Sequence, residues 1–458
     1  MSAPAQHEQG SERPRRSGRL GTLAAVGPGI VVTGSVIGSG ELVNTPVQAA
    51  QFGFVLLWAV LLACVIKYFL QVEIARHALA HNRTTFEALN TCPGPKLRGT
   101  SWIGLVYMAG YVVTMLPIIG IIGAVGGLMH AVWPLAETEQ HSVQIWGALG
   151  VLLALVLLWG GAYGRLETLV TLLVAGFSLS VGVGLLLIQG TEYRISGADL
   201  ASGLRFSLGP EPRAGAFAVI SLMGALGVAA NELFMYPYWI LEKGYAAELG
   251  DARDAGWTAR ARQWIDVIRL DAGLGTLVAT IVTAAFFLLG AAVLFRQGVR
   301  PQGVAVIEQI SGVYTATYGG WSRWLFFAGA FCTLFSTLAV YTAASGRMWT
   351  DLAISLGLLE RDNPRTTRRC HQLAQAAWLA ALLGGFLIME KQPATLIVWG
   401  HFVLGAFMTP LLMFAITWLA FHTDARVRMG RGWAAALVAS VLVILACVLI
   451  WAVLFMSA

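Results

Sequence analysis

Two glutamates stand inside apolar stretches of the sequence, and the same short pattern surrounds both. The first stretch reads Gly38-Ser39-Gly40-Glu41-Leu42-Val43-Asn44-Thr45-Pro46, and a later one reads Ala229-Ala230-Asn231-Glu232-Leu233-Phe234-Met235-Tyr236-Pro237. Both contain Glu-Leu-x-x-x-Pro preceded by small or polar residues. A carboxylate at the centre of a bilayer costs about 2.5–3.5 kcal/mol on insertion scales, so Glu41 and Glu232 need a compensating role. Carboxylates in such positions serve as cation ligands or as proton carriers.

The residues around both glutamates disfavour a regular helix. Glycine lowers helix propensity by about 1 kcal/mol per residue, and proline removes a backbone hydrogen bond at a cost of about 3 kcal/mol. Gly40, Pro46 and Pro237 therefore predict interruptions in two membrane helices. At membrane depth, freed carbonyls bind cations and freed amides bind anionic groups. Glycines that only allow close helix packing are the alternative, but packing glycines need no carboxylate beside them.

A binding site is predicted where the two interruptions meet. Glu41 and Glu232 are its expected charged ligands, and backbone carbonyls near Gly38 and Ala229 complete the shell. The expected helpers are Asn44, Asn231 and His401. His401 lies in an apolar stretch beside Gly400, where a hydrogen-bonded packing role is the alternative to a ligand or a proton carrier.

Lys67 is the only basic residue deep inside an apolar stretch. An ion pair between Lys67 and one of the glutamates would offset the cost of burying both charges. Such a pair is a structural alternative to ligand binding by that glutamate, and it is compatible with a role for Lys67 in charge balance or coupling.

The elements that carry these residues are membrane helices. Of the 458 residues, 57% are hydrophobic and 12% are charged, and the mean hydropathy is +0.70. Stretches of about 20 apolar residues, the length that crosses a bilayer, recur about eleven times. The predicted spans are 22–50, 53–75, 102–134, 143–162, 166–189, 214–240, 270–295, 321–345, 372–389, 394–421 and 432–456.

The two similar segments lie in spans one and six, five spans apart. Because five is odd, a second repeat begins from the opposite side of the membrane, which predicts an inverted 5+5 repeat with spans one and six broken. Repeat one covers about 22–189 and repeat two about 214–421, with an extra helix at 432–456. Residues 20–456 form one transmembrane domain, and residues 1–19 are expected to be a disordered cytoplasmic tail.

Charge sets the expected orientation. Of the 30 Lys and Arg residues, 22 fall in loops on the side of the N-terminus and 7 on the other side, and Lys67 lies within a span. Cytoplasmic loops carry such an excess, so the N-terminus is expected inside and the C-terminus outside. The Arg-rich, Ala- and Gly-rich composition favours a bacterial inner membrane. Neither a nucleic-acid-binding motif nor an enzyme motif stands out, and the five scattered cysteines predict no disulfide framework.

The chain resembles the Nramp family of divalent metal transporters, whose fold is that of leucine and sodium symporters. The similarity runs through segments that include "QFGFVLLWAVLLACVIKYFLQ" at 51–71 and "PATLIVWGHFVLGAFMTPLLMF" at 393–414. Further similar segments are "GPGIVV" at 27–32, "GRLETLV" at 164–170 and "STLAVYTAASGRMWTDL" at 336–352.

The metal-site motifs of the family are changed in this chain. The resemblance places the family's Asp-Pro-Gly-Asn on Gly38-Ser39-Gly40-Glu41. The family's Met-Pro-His falls on Ala230-Asn231-Glu232 if the two Glu-Leu-x-x-x-Pro segments are equivalent, or near Met235-Tyr236-Pro237-Tyr238 if the proline sets the register. The former places no soft thioether at the site, and carboxylates suit harder ions such as Mg²⁺, Ca²⁺ or Mn²⁺.

The resemblance and the residues together predict a transporter that moves divalent cations by alternating access. The cation is the substrate, and no cofactor is expected. One alternative is a transporter of an organic cation or amino acid, for which the aromatic residues Phe234, Tyr236, Tyr238 and Trp239 beside the second glutamate are suited. Another is a non-transporting sensor. The expected partners are the lipid bilayer and a small solute, without nucleic acid, and a monomer is expected.

Overall fold

A computed structural model of the chain describes residues 38–159, 163–303, 305–360, 364–389 and 392–457. The predicted tail at 1–19 and the first half of span one lie outside these ranges. The helices are α1 Thr45–Phe52, α2 Leu57–His81, α3 Thr85–Leu89, α4 Trp102–Tyr111, α5 Met115–Val132, α6 Glu139–Trp159, α7 Tyr163–Leu187, α8 Gly197–Gly203, α9 Pro212–Ala225, α10 Ala230–Glu242, α11 Trp257–Gly290, α12 Val306–Tyr318, α13 Ser322–Ser355, α14 Pro364–Ile388, α15 Pro393–Val403, α16 Thr409–Phe421 and α17 Arg431–Met456.

Short elements complete the main chain. The strands β1 (Lys96–Leu97) and β2 (Thr100–Ser101) form an antiparallel pair in the loop after α3. Turns of 3-10 helix lie at Val112–Thr114, Ile188–Gly190 and Ala247–Leu249, and wider π turns lie at Gly40–Asn44, Ala291–Phe295 and Leu404–Met408.

Ten helical segments of the described residues are long and apolar enough to cross a membrane, and they match the second to eleventh predicted spans. They are Leu57–His81, Trp102–Val132, Glu139–Trp159, Leu172–Gly190, Pro212–Glu242, Trp257–Phe295, Ser322–Ser355, Arg365–Ile388, Pro393–Phe421 and Arg431–Met456. The prediction of an all-α polytopic membrane protein is confirmed.

The helix contacts repeat between the two halves of the chain. Span one (α1) packs against span seven (α11), and the second half of span six (α10) packs in the same way against span two (α2). Span three (α5) packs against span ten (α15), as span eight (α13) packs against span five (α7). Spans two and seven, which correspond to each other, contact each other directly. These reciprocal contacts are those of two inverted repeats.

The prolines do not interrupt the helices as the sequence predicts. Gly40 is the first residue of a π turn, and Pro46 lies in the first turn of α1 directly after it. The wider turn removes the clash between the proline ring and the carbonyl four residues earlier. Pro237 lies inside α10, and Thr85 Oγ1 donates a hydrogen bond to the carbonyl of Phe234 one turn before it. The break of span six is instead at residues 226–229.

Within the second repeat, spans six and ten approach each other closely where glycines cross. A Cβ atom on Gly224 of α9 would lie 1.9 Å from the carbonyl oxygen of His401, and one on Gly405 would lie 2.2 Å from that of Ile220. Both distances are far below van der Waals contact, so only glycine allows α9 and α15 to cross this closely. The close crossing brings span ten directly against the first half of span six.

We expect Gly405→Ala to lower the melting temperature of the detergent-solubilised protein, because its methyl group would overlap the Ile220 carbonyl and separate the two helices. Gly182→Ala is the matched control, since no other atom lies within 4 Å of its added Cβ atom. Alanine is the better helix former by about 1 kcal/mol, so the control is expected to be neutral or stabilising. An equal effect of both changes would show that the crossing is not tightly packed.

Candidate functional site

The break of span six separates α9 from α10 and rests against span two. Helix α9 ends at Ala225 and α10 begins at Ala230. Gly227 has φ +66, and a Cβ atom on it would lie 3.1 Å from the Cα atom of Cys64 in α2. Glycine is therefore required twice over, by the backbone conformation and by the close approach. The break leaves carbonyl groups free at the end of α9 and amide groups free at the start of α10.

Glu232 satisfies one of these free amides. Ala229 is the N-cap residue of α10, and its backbone N–H donates to Glu232 Oε2 at 2.9 Å. This is the carboxylate half of a capping box, in which an acid three residues into a helix binds the N-cap amide. The negative charge also lies at the positive end of the helix dipole. The residue as a whole is partly exposed.

Glu41 makes the corresponding contact in the first repeat. The backbone N–H of Gly38 donates to Glu41 Oε2 at 2.9 Å, again across three residues. Glu41 is buried, with 1% of its surface exposed, and its Oε1 atom has no hydrogen-bond partner among the described residues. The two Glu-Leu-x-x-x-Pro segments thus share one local geometry. A buried carboxylate oxygen without a donor is an acceptor for a cation or a proton.

The described start of span one lies against the break of span six. A Cβ atom on Gly40 would lie 3.0 Å from the carbonyl oxygen of Ala225, the last residue of α9. Glu41 and Glu232 are close enough to interact electrostatically. The inverted repeats therefore bring both carboxylates to one region in the middle of the bundle.

Lys67 contacts the break itself and not a carboxylate. Its side chain is fully buried, and Nζ donates to the carbonyl oxygen of Leu226 at 2.6 Å. In the described part of the chain, no ion pair within 4 Å joins Lys67 to Glu41 or Glu232, so the direct pair that was the structural alternative is not formed. Lys67 still interacts electrostatically with both carboxylates. The sequence indicated the charge but not its backbone partner.

Asn44 ties the two repeats together. Its Nδ2 atom donates to the carbonyl oxygen and to Oγ of Ser221 in α9, both at 3.2 Å, and its Oδ1 atom accepts from Gln48 Nε2 at 3.3 Å. Ser221 Oγ also donates to the Val398 carbonyl of α15 at 2.8 Å. The amide of Asn44 is thus engaged on both of its polar atoms. Ser221 is a polar residue of the site region that sequence reasoning missed, because an isolated serine in an apolar helix gives no signal.

Asn231 and His401 keep polar atoms without partners. Tyr107 donates to Asn231 Oδ1 at 2.8 Å, but Asn231 Nδ2 has no hydrogen-bond partner in the described residues. His401 is 6% exposed, its Nδ1 atom is likewise without a partner there, and the residue interacts electrostatically with Lys67. Both side chains therefore have polar capacity left for a bound solute. Tyr107, which orients Asn231, was not predicted from the sequence.

The aromatic residues beside Glu232 are used in packing. Phe234 is fully buried and stacks on Tyr107 with ring centroids 4.4 Å apart. Tyr238 donates to Asp351 Oδ2 at 2.5 Å. Two of the four aromatic residues named for an organic cation are thus engaged with other parts of the protein.

Most candidate ligand atoms in the site region are oxygens. No group of three His, Cys, Asp or Glu side chains converges among the described residues, so protein side chains alone do not form a full metal shell. Two carboxylates with backbone carbonyls from the break, and with water, form a hard ligand set of the kind that Mg²⁺, Ca²⁺ and Mn²⁺ accept.

Two broken helices in equivalent positions of inverted repeats, each with a carboxylate at its break, define a membrane transporter fold. The family description natural resistance-associated macrophage protein-like matches residues 29–455, so the chain belongs to the Nramp family. No curated protein matches the chain.

Solved structures share this fold at low sequence identity. A mutant of the manganese transporter of Eremococcus coleocola is 15% identical, with a TM-score of 0.61 over 96% of this chain and 88% of that chain. MhsT in complex with L-phenylalanine is 14% identical, with a TM-score of 0.54 over 97% and 100%. A nucleobase-cation-symport-1 family transporter is 12% identical, with a TM-score of 0.55 over 93% and 90%. The inverted-repeat fold is therefore common to these proteins and this chain.

We expect Asn44→Ala to lower thermal stability more than it weakens substrate binding. Removal of the amide takes away the bonds that it makes to Ser221 and Gln48, although the Ser221 hydroxyl keeps its bond to Val398, and a buried polar group left unsatisfied costs about 1–3 kcal/mol. Ser221→Ala is the matched control, and the double variant should lose less than the sum because both changes break the same contact. Loss of binding with an unchanged melting temperature would instead make Asn44 a ligand.

Proposed function

We propose that the protein carries a divalent cation across the membrane by alternating access, with Glu41 and Glu232 as its charged ligands. The observation that carries this proposal is the pair of carboxylates at the two breaks. In each glutamate, Oε2 accepts a hydrogen bond at 2.9 Å from the backbone N–H three residues earlier. This bond orients the carboxylate and leaves its other oxygen for a ligand. In Glu41 that second oxygen is buried without a donor in the described part of the chain.

The ligand types favour a hard cation. If the two glutamates are equivalent, the methionine position of the family is taken by Ala230, which has no side-chain ligand atom. Carboxylate and carbonyl oxygens prefer Mg²⁺, Ca²⁺ or Mn²⁺ over softer transition metals. Asn231 and His401, with their free polar atoms, would contact the ion directly or through water. Manganese is the substrate named for one similar structure, and it lies within this group.

Access from one side of the membrane supports an alternating mechanism. A cavity of about 330 Å³ lies between α1, α9, α15 and the segment after α11, and Gln48 and Gln51 of α1 line it. Gln48 also bonds to Asn44, one turn from Glu41, so a polar helix face leads from the cavity towards the site. We propose that this cavity is the external approach to the site.

The opposite end of α10 is held closed. Asp351 of α13 accepts hydrogen bonds from Tyr238 at 2.5 Å and from Thr84 at 2.8 Å, and Arg347 pairs with Glu242 at 2.8 Å. We propose that these contacts break when the protein opens towards the other side. Opening one path while closing the other is the basis of alternating access.

The proposed setting is a bacterial inner membrane, with the N-terminus in the cytoplasm and the C-terminus outside, and with the protein acting as a monomer. The charge asymmetry of 22 against 7 basic residues supports this orientation.

We expect Glu41→Gln and Glu232→Gln each to weaken Mn²⁺ binding at least about 10-fold, and to reduce Mn²⁺, Mg²⁺ or Ca²⁺ uptake into proteoliposomes. Glutamine can still accept the bond from the backbone amide, so the fold should remain while the charge is lost, and a unit charge close to a cation is worth several kcal/mol at a partly buried site. Binding is measured by calorimetry and uptake with a metal-sensitive dye inside the liposomes.

Glu248→Gln serves as the control, because Glu248 is exposed and lies beyond the end of α10 that is opposite to the break. The proposal fails if no divalent ion binds or enters, or if both glutamine variants behave like the unchanged protein.

A further inference from the structure

We propose that Lys67 is a specificity-determining residue of this cation site. Its ammonium group binds a backbone carbonyl at the break of span six, where a metal ion could otherwise bind. Its positive charge lowers the affinity of the site for divalent and higher-valent ions. The inference rests on the proposed function of the site. In it, Lys67 limits the charge of the cation that the site binds tightly.

The geometry of Lys67 places its ammonium where a bound cation would find a carbonyl ligand. Leu226 follows the last residue of α9, and its carbonyl is among those left free when the helix ends. The C-terminal end of a helix carries partial negative charge, and such ends coordinate cations in transporters with broken helices. Lys67 Nζ lies 2.6 Å from this oxygen, so the position is already taken by a covalently attached cation.

The surroundings hold Lys67 in place. A lysine is almost never fully buried unless it is paired, and Lys67 is 0% exposed. Glu41 and Glu232 both interact with it electrostatically. Because Lys67 is held by backbone and not by a carboxylate, both glutamates keep their ligand oxygens. Cys64, one turn earlier on α2, and His401 also interact with Lys67 electrostatically.

The charge of the cluster follows from these contacts. Two carboxylates and one ammonium give a net charge of −1 when all three are ionised, and without Lys67 the charge would be −2. A divalent ion bound to the two glutamates would therefore leave one uncompensated positive charge in the interior, where screening by water and salt is weak. Lys67 thus weakens the binding of a divalent ion, which favours its release. It weakens the binding of a trivalent ion more strongly.

The test replaces Lys67 and measures Mn²⁺ affinity in the purified full-length protein by calorimetry. Lys67→Met removes the charge and keeps a similar volume, Lys67→Gln removes the charge and keeps a donor, and Lys67→Arg keeps the charge. We expect the two neutral variants to bind Mn²⁺ at least about 10-fold more tightly and the arginine variant to stay within about 3-fold of the unchanged protein. Arg269→Gln is the control, since Arg269 is a partly exposed cation of α11 whose side chain pairs with Asp266 at 3.3 Å.

A residue that only stabilises the broken helix end would give a different result. Its neutral variants would melt at lower temperature and bind Mn²⁺ equally or more weakly, and that outcome overturns the proposal while leaving metal transport intact. Tighter binding by the neutral variants supports it even if the unchanged protein binds too weakly to measure. If neither the unchanged protein nor a neutral variant binds any divalent ion, both proposals fail. If neither neutral variant folds, Lys67 is a structural residue and the proposal is wrong.

Discussion

Backbone groups freed at membrane depth must find partners, and this requirement organises the centre of the molecule. Unsatisfied amides and carbonyls cost several kcal/mol where no water reaches them, so a broken membrane helix persists only if the protein supplies the missing bonds. The freed amides are bound by Glu41 and Glu232, and the freed carbonyl of Leu226 is bound by Lys67. The same side chains that make the breaks stable are therefore the charged groups that a solute would meet.

This dual use explains why the site is charged without closely paired ions. Each carboxylate is oriented by an amide of its own helix, and the ammonium is oriented by a carbonyl, so the three charges converge without forming direct pairs in the described residues. Asn44 and Ser221 join α1 to α9 beside them, and the glycine crossing of α9 with α15 holds the surrounding helices close. Rigid helices around oriented charges are what a selective site requires, because ligands that are already in position lose little entropy when an ion binds.

The membrane spans and the two glutamates were predictable from the sequence, because hydropathy and internal similarity are local signals. Apolar stretches of about 20 residues predicted the membrane helices. Comparison of two short segments paired Glu41 with Glu232. The partners of Lys67 and Asn44 were not predictable, since each contacts residues about 160 to 180 positions away in the chain. Pro46 was predicted as a break because proline usually ends a helix, and only the π turn before it shows how the helix continues. The same limit applies to Tyr107, which reaches Asn231 across the two repeats.

Locating the bound ion is the most direct test of whether Glu41 and Glu232 together bind a divalent cation. A crystal of the full-length protein soaked with Mn²⁺ would give an anomalous scattering peak at the ion, and comparison with a metal-free crystal would show which groups move. If both glutamates bind the ion, one strong peak is expected in the middle of the bundle, within about 2.6 Å of a carboxylate oxygen of both Glu41 and Glu232. A peak bound by only one of these residues, or ordered Mn²⁺ elsewhere with none between the two breaks, would contradict it.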